Sequence, residues 1–259
     1  MRVECAEVSL NQLKRYTRLD DHKFRHAQGL FLAEGIKVVE ELLLSNWQTE
    51  AILVLPEKIK YWRALLDKTA GNIPIYSITG SQLKKISQDK EPEGIIAVVR
   101  MNPAPDLSSF LSTTEGNILI LHEINNPANI GALLRSALWF GFTNIMLSTN
   151  CADYTNPKTV RTSMGSLFHV NIAANITLKK VLPEIKKSYY LVGSNVHRGQ
   201  APHLLQKKAA LLLGSESHGL PDDLLDMVDE QWSIPGSGKV DSLSLPQAAA
   251  ILMYECTKR

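Results

Sequence analysis

One segment carries three residues whose types and spacing suit chemistry on a polar ligand: Asn129, Gly131 and Arg135. It follows an apolar run at residues 117–121 that predicts a buried strand, and residues 130–140 predict a helix with Asn129 as its N-cap. The helix is apolar on nearly every side, which is typical of a buried helix. Because a buried guanidinium without a partner costs several kcal/mol, Arg135 is expected to face a carboxylate, a phosphate or both. A structural ion pair is the alternative.

A second candidate group is the carboxylate of Glu216, in the loop Gly214-Ser-Glu-Ser-His-Gly219. The loop follows an apolar run at residues 209–213 that predicts a buried strand, and ligands bind at the carboxyl ends of strands in α/β sheets. Glycines there let the backbone approach a ligand closely. Glu216 is therefore the expected partner of Arg135, and a plain surface turn is the alternative.

A third stretch, residues 234–254, contains Gly236-Ser-Gly-Lys239, which is similar to a phosphate-binding loop. The pattern fails because Ser233 stands where a glycine is required, and Val240 stands where Ser or Thr is required. The interpretation that remains is a flexible loop ahead of a helix, with Ser244 and Gln247 as a capping box. The free amides ahead of that cap are candidates to hold a polar ligand.

The segment from residue 14 to residue 26 is basic and carries two aromatic side chains, Tyr16 and Phe24. Basic residues mixed with aromatics suit phosphates and unstacked bases. A solvated amphipathic helix is the alternative. The basic residues of the segment are Lys14, Arg15, Lys23, Arg18 and Arg25.

Composition sets the class of protein. The 259 residues are 44% hydrophobic and 21% charged, as in an ordinary globular protein, and the net charge of +2 is too small to prove nucleic-acid binding. No apolar run approaches the ~18 residues of a membrane helix, and the N-terminus lacks a secretory signal. The three cysteines are scattered, with no zinc-ligand spacing. We expect a protein of the reducing cytoplasm without a metal site.

Strands alternate with helices along the whole chain, which predicts an α/β fold. The short apolar strands of the second half favour a parallel sheet covered on both faces. A proline-containing polar run at residues 101–109 is typical of a linker. The predicted domains are therefore a small α/β binding domain at residues 1–104 and a parallel-sheet domain at residues 105–259.

Taken together and in order, the three stretches resemble the motifs of the SpoU (TrmH-like) RNA 2′-O-ribose methyltransferases of the SPOUT superfamily. Asn129, Gly131 and Arg135 match the pattern Asn-x-Gly-x-x-x-Arg. The loop from Gly214 to Gly219 matches Gly-x-Glu-x-x-Gly. The third motif matches Ile234, Pro235, Ser242 and Leu243, and the segment Phe31-Leu-Ala-Glu-Gly35 looks like part of the family's small substrate-binding domain.

The resemblance implies a homodimer with a deep trefoil knot in the C-terminal domain, S-adenosylmethionine as cofactor, and RNA as substrate, ribosomal RNA being favoured over transfer RNA. By carry-over, the roles divide into three sets. The catalytic candidates are Arg135, Asn129 and Glu216. The cofactor-binding candidates are Gly214, Ile234, Leu243, Ser194, Asn195 and Ser242. The RNA-binding candidates are Lys14, Arg15, Arg18, Lys23, Arg25 and Arg161.

Methyl transfer to a ribose hydroxyl needs in-line positioning and loss of the hydroxyl proton. Guanidinium is always protonated, so we interpret Arg135 as a stabiliser of the developing alkoxide that Glu216 orients. Two departures from the family pattern are Ser244, where Asn is usual, and Gly236, where Met is usual. Ser244 keeps open a second hypothesis, a catalytically weak RNA-binding protein with the same fold.

Overall fold

The computed structural model describes residues 5–67, 73–113 and 115–258, and in it the chain divides into two units. The first contains Met1–Pro103 and Asp153–Phe168, and the second contains Ala104–Ala152 and His169–Arg259. A single boundary at residue 104 misses the later segment that belongs to the first unit.

Buried contacts explain why the segment Asp153–Phe168 groups with the first unit. The Arg25 side chain is 1% exposed, and its Nη2 donates to Oδ2 of Asp153 at 2.7 Å. The Phe168 ring stacks on Phe31 and meets Trp47 edge-on, with centroids 6.4 and 5.7 Å apart. All three contacts join residues more than 100 positions apart, so they leave no local pattern in the sequence.

The first unit is built on a five-stranded mixed sheet. Its strands are β1 (Ala6–Glu7), β2 (Leu30–Glu34), β3 (Thr49–Val54), β4 (Ile75–Ser77) and β5 (Ile95–Arg100), in the order β1-β4-β3-β5-β2. β4 runs parallel to β1 and β3, whereas β5 runs antiparallel to β3 and β2. Its helices are α1 (Leu10–Thr17), α2 (His22–Gln28), α3 (Ile36–Leu43), α4 (Arg63–Asp67), α5 (Gly80–Ile86) and α8 (Pro157–Thr162). Short 3-10 turns cover Arg18–Asp20 and Pro56–Lys58.

Local sequence sets the ends of several of these helices. Ser9 with Gln12, and Thr79 with Gln82, form capping boxes at the starts of α1 and α5. Gly29 ends α2 with a φ of 61°, a left-handed conformation that glycine adopts without steric cost.

The second unit is built on a six-stranded sheet in which all neighbours are parallel, as the sequence predicts. Its strands are β6 (Ile118–Leu121), β7 (Asn144–Ser148), β8 (Asn171–Ile176), β9 (Tyr190–Ser194), β10 (Ala209–Leu213) and β11 (Glu230–Trp232), in the order β11-β9-β10-β6-β7-β8. Every residue of β6, β7 and β10 is buried, because helices cover both faces of such a sheet. The helices are α6 (Leu107–Thr113), α7 (Pro127–Trp139), α9 (Leu178–Ile185), α10 (Asp222–Leu225) and α11 (Leu245–Thr257). A 3-10 turn, Ser166–His169, lies where the chain passes from the first unit to the second.

The start of α7 differs from the prediction. The helix begins at Pro127, and Asn126, not Asn129, is the N-cap, accepting the Ala128 N–H at 3.0 Å. Proline fits the first helical position because its φ is already helical and its missing N–H would have no partner there. Asn129 therefore lies inside the first turn of α7.

Within the described ranges, no helix has both the length and the apolar content to cross a bilayer. The α/β class and the parallel sheet are confirmed, and the trefoil knot stays a prediction.

Candidate active site

The carboxyl ends of three neighbouring strands in the second unit place most of the predicted cofactor residues along one edge of the sheet. β9, β10 and β11 are parallel and adjacent, so their carboxyl ends share that edge. Ser194 and Asn195 lie at the end of β9, Gly214 follows β10, and Ile234 follows β11. Each of these predicted residues is thus carried by a loop at the sheet edge where ligands bind in α/β folds.

The loop after β10 closes tightly on itself, and this is what requires Gly214. A Cβ at Gly214 would lie 2.0 Å from the carbonyl carbon of Gly219. The Gly219 N–H donates to the Ser215 carbonyl at 2.8 Å, and Gly219 has a φ of 66°. The glycine at 214 therefore serves the approach of the loop's own backbone, whereas the sequence suggested approach to a ligand.

Glu216 is exposed on this loop, and its Oε1 accepts the backbone N–H of Leu245 at 3.1 Å. Leu245 is the first residue of α11, where a backbone N–H has no partner inside the helix. The predicted capping box is wrong: Ser244 lies at the N-cap but makes no cap bond, and its Oγ donates to Gln247 Oε1 at 3.0 Å. Glu216 supplies the missing acceptor and joins the second motif to the third.

Arg135 is exposed, which contradicts the predicted burial of its guanidinium. No carboxylate of the described residues lies within 4.0 Å of it, so the predicted pair with Glu216 is not formed in the single chain. α7 packs against α11 along one side, but the single chain leaves another side of α7 open, and Trp139, one turn beyond Arg135, is 83% exposed. Asn129 is half-buried in the same helix.

The side chain of Asn195 is engaged within its own loop. Its Nδ2 donates to Gln231 Oε1 at 2.9 Å, and its Oδ1 accepts the N–H groups of His197 and Arg198 at 3.0 and 3.2 Å. These bonds fix the turn after β9. The half-buried Ser194 precedes it at the strand end.

The loop between β11 and α11 presents free backbone next to apolar side chains. Of the backbone–backbone hydrogen bonds made among described residues outside helices and strands, none involves residues 234–243. Val240 is 72% exposed and Leu243 is 44% exposed, beside the exposed Ser242 and the half-buried Ile234. Unpaired amides and carbonyls between apolar side chains suit a ligand with a flat heterocycle and a hydrogen-bonding edge.

A cavity of about 590 Å³ lies on the other side of the Gly214–Gly219 loop, at the carboxyl ends of β6, β7 and β8. It is lined by polar side chains that include His122, Thr149, Thr177, Lys179, His218 and Asp223. It contains none of the predicted cofactor residues, so the two features are distinct. Sequence reasoning missed it because its lining residues carry no motif of their own.

In the first unit, the predicted RNA-binding segment is only partly available to a ligand. Lys14, Arg18 and Lys23 are exposed, and the Arg18 guanidinium lies 4.0 Å from the centroid of the Phe24 ring. Arg15 is half-exposed and already donates to Glu50 Oε1 at 2.8 Å.

Two residues of this segment belong to the interior. Tyr16 is 2% exposed and packs in the core, so it does not stack on bases. Arg25 is buried, and its Nη1 donates to the carbonyls of Leu19 and Asp20 while Nη2 bonds Asp153. The prediction that Arg25 binds RNA is wrong, because its side chain is buried and both Nη groups are bonded inside the unit.

Arg161 lies on α8 and pairs with Asp89, with Nη1 3.1 Å from Oδ2. Both side chains are more than a third exposed, so water screens this pair strongly. Arg161 can therefore exchange its partner for a phosphate.

Comparison with known proteins agrees with this geometry. The family model described as "SpoU rRNA Methylase family" matches residues 116–254, and "MRM3-like substrate binding domain" matches residues 11–97. The 23S rRNA (guanosine(2553)-2′-O)-methyltransferase RlmP of Bacillus subtilis is 30% identical over 252 residues, covering 96% of this chain and 97% of that protein. The 23S rRNA (uridine(2479)-2′-O)-methyltransferase of Streptomyces viridochromogenes is 25% identical, covering 93% and 87%.

A solved structure gives the same result for the fold. The SpoU methyltransferase AviRb from Streptomyces viridochromogenes, in complex with the cofactor AdoMet, has a TM-score of 0.82 and 25% identity to this chain. The match covers 95% of this chain and 97% of AviRb. The resemblance seen in the three motifs is confirmed, and the chain belongs to the SpoU rRNA Methylase family.

Proposed function

We propose that this protein methylates a ribose 2′-hydroxyl of ribosomal RNA with S-adenosylmethionine as the methyl donor. We assign the methyltransferase domain to residues 105–259, apart from residues 153–168, which pack with the first unit, and the RNA substrate-binding domain to residues 1–104. The family match over residues 116–254 and the ribosomal RNA named for RlmP support this assignment. A ribosomal RNA substrate supports a cytoplasmic location for the enzyme.

The loop at residues 234–243 is the observation that carries the cofactor proposal. Its unpaired backbone and its exposed apolar side chains, among them Leu243, would suit the adenine of the cofactor. Gly214, Ile234 and Leu243 would contribute backbone contacts, and Ser194, Asn195 and Ser242 would line the same edge. When bound, S-adenosylmethionine supplies a methyl group on a positively charged sulfur.

Arg135 acts on the ribose. S-adenosylmethionine would supply the methyl group, and the ribose 2′-hydroxyl would lose its proton to water or to a phosphate oxygen as it accepts that group. The guanidinium keeps its own protons and stabilises the developing alkoxide by charge-assisted hydrogen bonds. Its exposure leaves it free to reach the phosphate next to the target.

Asn129 and Glu216 position the site. Asn129 lies in the first turn of α7, the helix that carries Arg135. Glu216 ties the β10 loop to the start of α11 and so fixes the loop that precedes this helix. In the dimer, Glu216 would in addition orient Arg135.

A homodimer is supported by the open side of α7 and α11. Trp139, Ile251 and Tyr254 are 83%, 39% and 52% exposed, and the Tyr254 ring lies 6.2 Å from that of Phe140. Exposed apolar patches of this kind mark interaction surfaces. A second copy packed there would cover these apolar side chains, which accounts for the apolar residues on the open side of α7. Trp139→Glu should convert the dimer to a monomer in light scattering, and a wild-type monomer would contradict this proposal.

The catalytically weak RNA-binding protein remains the second candidate, because the Ser244 hydroxyl is committed to Gln247 and presents no amide at the position usual for Asn. Calorimetric titration with S-adenosylmethionine, followed by mapping of ribose methylation in total RNA with and without the gene, separates the two. We expect micromolar binding and the loss of one ribosomal ribose methylation in the deletion strain. Cofactor binding without any lost methylation would favour the second candidate.

A further inference from the structure

Two histidines in the first unit converge on one carboxylate. His22 and His26 lie one helical turn apart on α2, with ring centroids 4.4 Å apart. Nε2 of His26 is 3.3 Å from Oδ2 of Asp153, and Nε2 of His22 is 3.8 Å from the same atom. One ligand atom from each of the three residues falls within 4.8 Å of the others.

Two imidazoles and one carboxylate are a donor set typical of zinc and related divalent transition metals. The i, i+4 spacing on a helix places both histidines on one face, as in helical zinc sites. Ligands of a tetrahedral zinc lie about 3.3 Å apart, given metal–ligand bonds of about 2.0–2.1 Å. The two distances to Asp153 are already close to this value. Because both imidazoles are exposed, small side-chain rotations suffice to complete the geometry.

We propose that His22, His26 and Asp153 form a binding site for one zinc ion, with water as the fourth ligand. The sequence predicts no metal site, because the carboxylate lies 127 residues beyond His26. The proposal is independent of the methyltransferase chemistry, which takes place in the second unit.

The carboxylate is held in place as a metal ligand requires. Its Oδ1 accepts the Thr155 N–H at 2.8 Å and the Thr155 hydroxyl at 2.7 Å. Its Oδ2 accepts from Arg25 Nη2 at 2.7 Å, which leaves a second lone pair of Oδ2 toward the histidines. Such outer hydrogen bonds orient metal ligands in characterised sites. The positive charge of Arg25 repels a cation, and the site has only one carboxylate. Both features lower the expected affinity for zinc relative to a site with two carboxylates.

A bound ion would join α2 to the segment Asp153–Phe168, two parts of the first unit that are distant in sequence. It would therefore stabilise the folded state by mass action. The expected consequence is a more stable first unit without a change of fold.

The test uses the full-length chain, freed of any affinity tag and of metal by EDTA, titrated with zinc chloride in a calorimeter. We expect one ion per chain. His22→Ala/His26→Ala should weaken binding at least 100-fold, and His26→Gln alone should weaken it about 10-fold or more. His197→Ala, which removes an exposed histidine of the second unit, is the matched control and should bind as the wild type does.

The melting temperature is a second measurement, and it shows whether the variants are still folded. Excess zinc should raise the melting temperature of the wild type and of His197→Ala but leave that of the double variant unchanged, and all three should melt alike in EDTA. The proposal is overturned if the wild type binds no zinc, or if the double variant binds it within about 3-fold of the wild type. Magnesium chloride in place of zinc should give neither heat nor a thermal shift.

Discussion

Glu216 is bonded to the backbone of Leu245, with Oε1 3.1 Å from the amide nitrogen, and not to the guanidinium of Arg135. The acidic residue of the second motif therefore serves first as a helix cap supplied from another loop. This bond holds the loop of the second motif to the start of the helix in the third motif. The loop after β10 cannot move without disturbing the first turn of α11.

The cap can be tested on stability. Glu216→Ala should lower the free energy of unfolding by about 1 kcal/mol, the usual cost of removing a cap acceptor. Glu216→Gln keeps an oxygen acceptor and should lose less than half as much. Urea unfolding followed by circular dichroism measures both, and equal losses in the two variants would show that the carboxylate charge, not the acceptor, stabilises α11.

The exposed basic residues of the first unit should set the salt dependence of RNA binding. Replacing Lys14, Arg18 and Lys23 by Ala should weaken binding to ribosomal RNA fragments. It should also reduce the slope of log K against log salt by about 2, since each phosphate contact contributes about 0.7–0.9. Filter binding between low and moderate salt gives the slope.

A control of equal charge change separates local contacts from net charge. Lys180, Lys187 and Lys208 are exposed lysines of the second unit, and their triple Ala variant should leave the slope within about 0.5 of the wild type. If both triple variants flatten the slope alike, the segment that contains Lys14 is not the RNA contact.

The buried Arg25 should act on folding and not on RNA affinity. Arg25→Ala leaves the Asp153 carboxylate, 10% exposed, without its main cation, and should cost about 3–5 kcal/mol of stability. Arg18→Ala, which removes an exposed guanidinium, should cost less than about 1 kcal/mol. Thermal and urea unfolding of the EDTA-treated variants compare the two. A stable Arg25→Ala with weakened RNA binding would restore the original sequence prediction.

Cys256 on α11 should be chemically inert in the folded protein. Burial, reinforced by the charges of Glu230 and Glu255, raises the pKa of its thiol to about 12. The folded pKa lies above the unfolded value of about 8.5, so this contribution to stability is present below pH 8.5 and is lost as the pH rises toward 12. At pH 8, alkylation followed by mass spectrometry should label Cys256 only after denaturation. Rapid labelling of the native chain would show that α11 opens locally.

The sequence was sufficient for the parallel sheet and for the loops that carry the site. Apolar runs such as Ala209–Leu213 determine the strands, because a strand buried on both faces has no polar positions. The start of α7 was harder to predict from the sequence. Asn126 and Asn129 are equally good N-cap residues by type, and the position of Pro127 decides between them. The steric need for Gly214 was also not visible, since only the closed loop shows that the backbone of Gly219 approaches it.

Contacts between segments that are far apart in the chain could not be predicted from the sequence. In the sequence, Arg25 is one of several cations on a basic helix. Its contact with Asp153, 128 residues further along the chain, is visible only in the folded structure. The same carboxylate brings His22 and His26 together. Arg135 was expected inside because its helix is apolar, and the single chain leaves it outside beside Trp139. An apolar sequence pattern predicts that a helix is buried, but it does not show whether the residues that bury it come from the same chain or from a second copy.

The most direct test of the methyltransferase account is the transfer of labelled methyl groups from S-adenosylmethionine to ribosomal RNA by the wild type and by Arg135→Ala. We expect the wild type to produce 2′-O-methylated nucleotides after nuclease digestion. Arg135→Ala should lose at least 100-fold in turnover, about 2.7 kcal/mol of transition-state stabilisation. Because Arg135 is exposed and unpaired among the described residues, this variant should keep its stability and bind the cofactor within a few-fold of the wild type. Wild-type turnover by Arg135→Ala, or label on bases and not on ribose, would contradict the account.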